Sequence, residues 1–195
     1  IAHTQVAAEY AALLRDVADA VHGIGDECPL VANGGLAPGG TRRCECGGEG
    51  WEGGLTSQDF IAAMIAADPD AFARLDGLAT HSYPAEGEGW GFFVPYDRAG
   101  PGLHYYEREL AAIGRDLPVL VTETGWSIET GASREDVASW TVLAYQNDWL
   151  ADDRIVGVMP FMLRDVSWDR FAWTQPDGAP YPVYDAVRAL RCSLV

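Results

Sequence analysis

The sequence has 195 residues, of which 48 % are hydrophobic, and this length and composition are typical of one globular domain with a sizeable core. Its formal net charge is −16, from 29 acidic and 13 basic residues, and such a surface repels nucleic-acid backbones and anionic membranes. No apolar run approaches the roughly 20 residues that span a bilayer. We therefore expect neither nucleic acid nor a membrane as a partner.

All 13 basic residues are arginine, and the sequence contains no lysine. Adaptation to high salt explains the acidity, because screening removes the repulsion between surface charges. The alternative is an ordinary acidic enzyme from a GC-rich genome, in which arginine codons are favoured. Both explanations of the composition stay open. The first residue is Ile1 rather than methionine, so we expect either a processed form or a fragment of a longer protein.

Four cysteines, Cys28, Cys44, Cys46 and Cys192, allow two disulfides in three pairings. Cys44 and Cys46 are too closely spaced for a zinc ribbon, and no second CxxC or paired histidine cluster accompanies them, so we expect no metal site. A disulfide in the glycine-rich loop would imply an oxidising compartment, as for a secreted protein. The sequence also lacks a nucleotide-binding glycine fingerprint, and we expect no cofactor.

The first third of the chain predicts a helix, a short strand and a long loop. Apolar residues recur at helical spacing over 4–22, and Gly23 and Gly25 end the pattern. The short apolar run 29–33 predicts a strand. A glycine-rich stretch over 39–54 predicts a long loop, and long loops in compact domains are usually functional or mobile.

Strand and helix patterns then alternate to the end of the chain. Thr56 is predicted to cap a helix that Pro69 ends, and Pro182 is predicted to open the last helix. The predicted strands cover 77–81, 118–123 and 155–161, and the predicted helices between them cover 104–115 and 133–150. This alternation indicates a parallel sheet.

The strand predicted over 118–123 ends in the sequence Glu123-Thr124-Gly125-Trp126. In barrels of alternating strands and helices, the carboxyl ends of the strands carry the chemistry, so Glu123 is a candidate catalytic residue. The alternative is that this carboxylate caps the next loop or pairs with an arginine.

Two neighbouring strand ends carry further candidates: His81 and Tyr83 after one, and Trp168 and Trp173 in the loop after the other. A carboxylate with aromatic walls suits glycoside hydrolysis, in which a sugar ring stacks on an aromatic face. Each of these residues has an ordinary alternative, since strand-end His and Tyr side chains and most tryptophans serve packing. Loop carboxylates such as Asp165 are usually solvated.

Several segments together resemble the retaining glycoside hydrolases of the (β/α)8 superfamily called clan A, which includes families 5, 17, 39 and 53. Segment 76–84 (DGLATHSYP) is similar to the sixth strand and its exit, and segment 119–126 (VLVTETGW) is similar to the seventh strand. Segment 171–184 (FAWTQPDGAPYPVY) is similar to the loop and helix that close the barrel, and segment 29–38 to the fifth strand.

The resemblance implies an α/β fold of the (β/α)8 TIM-barrel type, of which residues 1–195 form a single partial domain equivalent to strands 5–8 with their helices. It implies a retaining hydrolase of β-linked oligo- or polysaccharides. Glu123 would be the nucleophile and Tyr83 would orient it by a hydrogen bond. Substrate contacts would come from His81, Asn33, Trp126, Trp168 and Trp173.

The sequence departs from the family at one essential point. The general acid/base of the family is a glutamate in an Asn-Glu-Pro motif after the fourth strand, and this chain contains no such motif. A full barrel needs about 250 residues, and retaining chemistry needs two carboxyl groups. The expected partners are therefore a carbohydrate substrate and either a missing N-terminal half-barrel or a second copy of the chain. A catalytically inactive carbohydrate-binding or structural half-barrel is the alternative reading.

Overall fold

A computed structural model describes most of the chain. The four cysteines lie outside the described residues, and so does any disulfide between them. Three further loop carboxylates that the sequence offers as candidate acids, Glu86, Glu88 and Glu129, also lie outside them. The described residues are 3–25, 30–36, 55–84, 94–99, 102–128 and 131–190. No helix in these ranges has both the length and the apolar composition needed to cross a membrane.

The described residues form a mixed α/β fold with a small parallel sheet. The strands are β1 (Leu78–Thr80), β2 (Val119–Thr124) and β3 (Ile155–Pro160). The helices are α1 (His3–His22), α2 (Ser57–Ala67), α3 (Tyr105–Ile113), α4 (Arg134–Ala144) and α5 (Pro182–Arg188), with a π-helical turn at Tyr145–Trp149 and a 3-10 turn at Asp169–Phe171.

Local sequence signals set most helix ends. The Thr56 side chain accepts a hydrogen bond from the backbone N–H of Asp59 at 3.0 Å and so caps α2, as predicted. Ser133 and Asp136 form a capping box at the start of α4. Helix α3 ends at Gly114, whose φ of 74° lies in the left-handed region that favours glycine.

The helix predicted over 133–150 is longer than α4, because its last turn widens into the π-helical turn. The backbone N–H of Leu150 donates to the carbonyl of Tyr145, five residues back. The widened turn buries both Asp148 and Trp149. Asp148 there accepts a hydrogen bond from the Tyr96 hydroxyl at 2.9 Å, and its second oxygen lies 3.1 Å from Nε2 of His104.

The sheet order follows the chain order, β1–β2–β3, and both pairings are parallel. Segment 31–36 extends this order beside β1, with parallel bridges between Ala32 and Gly77 and between Leu36 and Thr80. Four parallel segments are thus adjacent in sequence order, although the predicted strand over 29–33 is an extended segment with isolated bridges. Because parallel strands share their direction, their carboxyl ends lie along one edge of the sheet.

Helices pack on the sheet and on each other to form the core. Helix α1 packs on α2 around Ala11, Leu14, Ile61 and Met64, all of which are buried. Between α3 and the sheet, a second cluster brings Tyr106 and Leu110 against the apolar strand residues. A third cluster, rich in tryptophan, lies where α4, its π-helical turn and α5 meet.

Asn33 joins segment 31–36 to β1 through its side chain. Its amide nitrogen donates to the carbonyls of Ala79 (2.9 Å) and Gly34 (2.8 Å), and its amide oxygen accepts from the N–H of Ala79 at 2.9 Å. The side chain is buried, and both amide hydrogens and the oxygen are engaged with the backbone. Asn33 therefore has a structural role, and its predicted contact with substrate stays a prediction.

Replacing Asn33 with alanine is expected to destabilise the fold by about 2 kcal/mol, because the N–H and C=O of Ala79 would lose their buried partners. Urea denaturation measures this loss. The matched control is Gln5→Ala, which removes an exposed amide that bonds only to Glu9 and should change stability by less than about 0.5 kcal/mol. Equal effects of the two substitutions would contradict the role of Asn33.

Candidate active site

A histidine and a glutamate meet at the carboxyl ends of β1 and β2. His81 directly follows β1, and Glu123 is the last residue but one of β2. Nδ1 of His81 lies 2.9 Å from Oε2 of Glu123. The two side chains are 25 % and 29 % exposed, so the pair is partly desolvated yet open to a ligand from the rim of the sheet.

Tyr83 is the second partner of this carboxylate. Hydrogen bonds from His81 and, more weakly, from Tyr83 lower the pKa of Glu123, although partial burial opposes them. Burial and the nearby charge of Glu123 raise the pKa of the Tyr83 hydroxyl. The hydroxyl therefore keeps its proton and donates a hydrogen bond to the carboxylate. Tyr83 and Glu123 thus lie next to each other, and the role of Tyr83 in orienting a nucleophile stays a prediction.

Gly35 provides the space that His81 occupies. A Cβ atom at this position would overlap the imidazole ring of His81 and lie 2.6 Å from Oγ1 of Thr122. Segment 31–36 therefore passes directly against the ring, and only a residue without a side chain fits there. Thr122 itself donates from Oγ1 to the Thr80 carbonyl at 3.3 Å, which ties the ends of β1 and β2 together.

Gly125 directs the chain out of β2 after Glu123. Its φ is 136°, and a Cβ atom there would approach the Phe161 carbonyl oxygen to 3.0 Å. The N–H of Phe161 donates to the carbonyl of Thr124 at 2.7 Å, so the exits of β2 and β3 lie against each other. The glycine of the Glu123-Thr124-Gly125-Trp126 motif is required by this close approach.

Trp126 lies in the core, whereas the sequence predicted a platform for a sugar ring. It is 2 % exposed, and its ring centroid lies 6.4 Å from those of both Trp140 and Trp149. Its indole N–H donates to the Val94 carbonyl at 2.9 Å. This hydrogen bond ties Val94 to the core, and contact of Trp126 with a sugar stays a prediction.

Trp168 and Trp173 lie in the loop after β3, in different surroundings. Trp168 is 37 % exposed and packs edge-on against Phe161, and the Arg170 guanidinium lies 4.5 Å from its ring centroid. Trp173 is half-buried and packs against the tryptophan-rich cluster. Of the three predicted platforms, Trp168 therefore keeps the most open surface.

Two arginines that the sequence analysis did not identify hold this loop in place. Arg134 donates to the carbonyls of Ala172 (2.7 Å) and Asp169 (2.9 Å), and its guanidinium lies 3.7 Å from the Tyr181 ring centroid. Arg164 contacts the Asp169 carboxylate at 2.5 Å. These partners are distant in sequence or lie in an irregular loop, so no periodic sequence pattern predicts the contacts.

The site still needs a second carboxyl group for glycosidic chemistry. Among the described residues, the groups that shift the pKa of Glu123 are His81 and Tyr83, and neither is a carboxyl group. Asp165 is engaged in its own turn, where it accepts from the N–H of Ser167 at 2.7 Å. Glu109, on α3, has a raised pKa because of burial, and its side chain is only 1 % exposed.

Replacing Gly35 with alanine is expected to push His81 away from Glu123 and so raise the pKa of the carboxyl group. Carboxyl carbon NMR of the Glu123 side chain measures the midpoint of its titration. The control is Gly34→Ala, whose Cβ would meet the movable Tyr10 hydroxyl at 3.2 Å and leave His81 in place. If both variants titrate like the parent protein, Gly35 does not set the position of His81.

The pairing of Glu123 with His81 should also stabilise the folded protein to an extent that depends on pH. The pKa of Glu123 is lower in the folded than in the unfolded protein, so its stabilisation is present above about pH 4.3 and is lost as pH falls through the folded pKa. Relative to the parent, Glu123→Gln should therefore cost more stability at pH 7 than at pH 3. Urea denaturation at both pH values tests this. In a protein that also carries His81→Ala, the cost of Glu123→Gln should differ less between pH 7 and pH 3.

Comparisons with known proteins support the fold. No protein-family model matches the chain, and no curated protein matches it. Among solved structures, the fold is similar to that of a GH128 (subgroup II) endo-β-1,3-glucanase from Sorangium cellulosum, with a TM-score of 0.63 and 20 % sequence identity. The match covers 96 % of this chain and 64 % of that enzyme, so the chain spans less than two-thirds of its length. The fold seen here is thus one that a glycoside hydrolase uses.

Proposed function

We propose that this chain carries the nucleophile of a retaining glycoside hydrolase that acts on β-linked oligo- or polysaccharides. The observation that carries the proposal is a partly exposed carboxylate at the carboxyl end of a parallel strand, held ionised by His81 at 2.9 Å and by Tyr83. The fold shared with an endo-β-1,3-glucanase supports it and makes β-1,3-glucan the first polymer to test.

Each group near Glu123 has a role in the proposed reaction. A carboxylate oxygen of Glu123 attacks the anomeric carbon, and the bond to the leaving-group oxygen breaks as an acid protonates that oxygen. The hydrogen bonds from His81 and Tyr83 keep Glu123 ionised before the attack and hold its orientation. Water then releases the sugar from the covalent intermediate, with the former acid acting as base.

The sugar would stack on the aromatic surface of the loop after β3. Trp168 supports this proposal best, because its ring is exposed and its loop is held rigidly by Arg134 and Arg164. Trp173 is half-buried and would contribute its accessible edge.

The acid/base of the reaction is proposed to come from outside this chain. Retaining chemistry needs a second carboxyl about 5–5.5 Å from the nucleophile, and the described partners of Glu123 are a histidine and a tyrosine. An N-terminal half-barrel in the same protein or in another polypeptide would supply this group.

The free edge of the sheet supports such a partner. In the described part of the chain, β3 pairs with β2 alone, and its Val156 and Met159 side chains are exposed. Unpaired strand edges pair readily with further strands. A second copy of the chain could occupy the same edge, and sedimentation distinguishes the two, because a monodisperse monomer excludes the symmetric dimer.

A second candidate function is a carbohydrate-binding or structural module without catalytic activity. The absence of a carboxyl partner for Glu123 among the described residues favours it. In that case oligosaccharides would bind and aryl β-glycosides would not be cleaved.

Trapping of the covalent intermediate tests the nucleophile. Incubation of the protein, together with its upstream partner, with an activated 2-fluoro β-glucoside should add one sugar mass to the peptide that contains Glu123, because fluorine slows release of the intermediate. Mass spectrometry of the digested protein locates the label. Glu123→Gln should prevent labelling and lower the turnover rate at least about 1,000-fold, since it removes the nucleophile.

The matched control is Glu135→Gln, which neutralises an exposed carboxylate in the first turn of α4 and should label like the parent. Labelling elsewhere, or turnover that survives Glu123→Gln, would contradict the proposal. Saccharide binding without label or turnover would support the binding module instead.

A further inference from the structure

Two buried hydroxyl groups flank His81 in the sequence, at the end of β1. Oγ1 of Thr80 lies 3.1 Å from Oγ of Ser82, and both side chains are fully buried. The pairing of β1 with β2 ends at Thr80 and Val121, one residue before His81. The position of His81 therefore depends on what holds the chain just after the strand ends.

Ser82 holds the chain at this point by a hydrogen bond to a different element. Its Oγ accepts from the backbone N–H of Tyr106, the second residue of α3, at 3.1 Å. The N–H groups in the first turn of a helix have no partner within the helix, and a side-chain oxygen often accepts from them. Within the described part of the chain, the N-cap residue of α3, His104, makes no capping hydrogen bond with its side chain. Ser82 thus does for α3 what a local cap does for α2 and α4.

Tyr106 is itself a firmly held anchor. It is fully buried, and its hydroxyl donates to Oδ2 of Asp152, just before β3, at 2.6 Å. Asp152 also accepts from Nε of Arg154 at 2.9 Å. The first turn of α3 is therefore tied both to the exit of β1 and to the segment that leads into β3.

His81 and Ser82 point to opposite sides of the chain, as successive side chains of an extended segment do. The contact between Thr80 and Ser82 puts these two hydroxyls on one side. The contact of Nδ1 of His81 with Oε2 of Glu123, at 2.9 Å, puts the imidazole ring on the other side. The hydrogen bond that Ser82 accepts therefore fixes the backbone from which the ring extends.

We propose that Ser82 is a positioning residue, which fixes the exit of β1 to α3 and so keeps the His81 imidazole within hydrogen-bond distance of Glu123. Without the Ser82 hydroxyl, the N–H of Tyr106 would be buried without an acceptor, and the exit of β1 would shift to relieve that cost. The imidazole ring would move with the backbone. The importance of Ser82 for catalysis rests on the proposed function, whereas its effect on the position of the ring does not.

The test follows Glu123 itself and needs no substrate. Carboxyl carbon NMR measures the midpoint of the Glu123 titration in the parent protein and in Ser82→Ala, which removes only the hydroxyl. We expect the midpoint to rise by about half a pH unit, because the hydrogen bond from His81 is the main cause of the lowered pKa of this carboxyl group. In a protein that already carries His81→Ala, the same substitution should leave the midpoint unchanged.

The matched control is Thr141→Val, which removes another buried hydroxyl, one that donates to the Val137 carbonyl inside α4 at 2.7 Å. It should lower the stability of the fold without moving the midpoint of Glu123. If Ser82→Ala does not fold, Ser82→Cys places a weak acceptor of similar shape at this position and should raise the midpoint in the same direction.

An unchanged midpoint in a folded Ser82 variant overturns the proposal. A rise that keeps its full size in the absence of His81 overturns it as well, because Ser82 would then act by another route. A protein without glycosidase activity can still show the shift, and an active glycosidase can lack it, so failure of this proposal is distinguishable from failure of the proposed function.

Discussion

The pairing of His81 with Glu123 is the interaction around which the described structure is arranged. It requires the ends of β1 and β2 to be adjacent, which their parallel pairing from Leu78 and Val119 onward achieves. It also requires space for the imidazole ring, which Gly35 leaves by having no side chain. Asn33 fixes that glycine's segment to β1 by two hydrogen bonds with Ala79, so a buried amide helps to set where the carboxylate's main donor lies.

The alternation of strands and helices was predictable, because buried parallel strands and amphipathic helices leave strong periodic patterns. Predicted strands over 118–123 and 155–161 correspond to β2 and β3 within a residue. The sequence predicts a regular strand over 29–33. In the structure, the side-chain amide of Asn33 makes hydrogen bonds to β1 where a regular strand would use its backbone. Hydrophobicity alone does not reveal such a replacement. The π-helical turn was missed for a similar reason, since its cause is the burial of Asp148 against distant partners.

The sequence indicated the position of Glu123 and its neighbours better than it indicated the roles of individual aromatic residues. Its location at a strand end follows from the apolar run before it, and the contact with Tyr83 follows from adjacent strands. Whether a tryptophan is exposed depends on segments that fold over it, which is why Trp126 is buried and Trp168 is open.

The contrast between the tryptophans gives the protein an internal optical reporter. Trp126 and Trp149 are shielded from water and their ring centroids are 6.4 Å apart, so they emit at short wavelength and follow the integrity of the core. Trp168 is the described indole with the most solvent contact, and it emits at longer wavelength and is accessible to iodide. A saccharide that stacks on Trp168 should therefore change the red edge of the emission, whereas loss of the short-wavelength emission reports unfolding of the core.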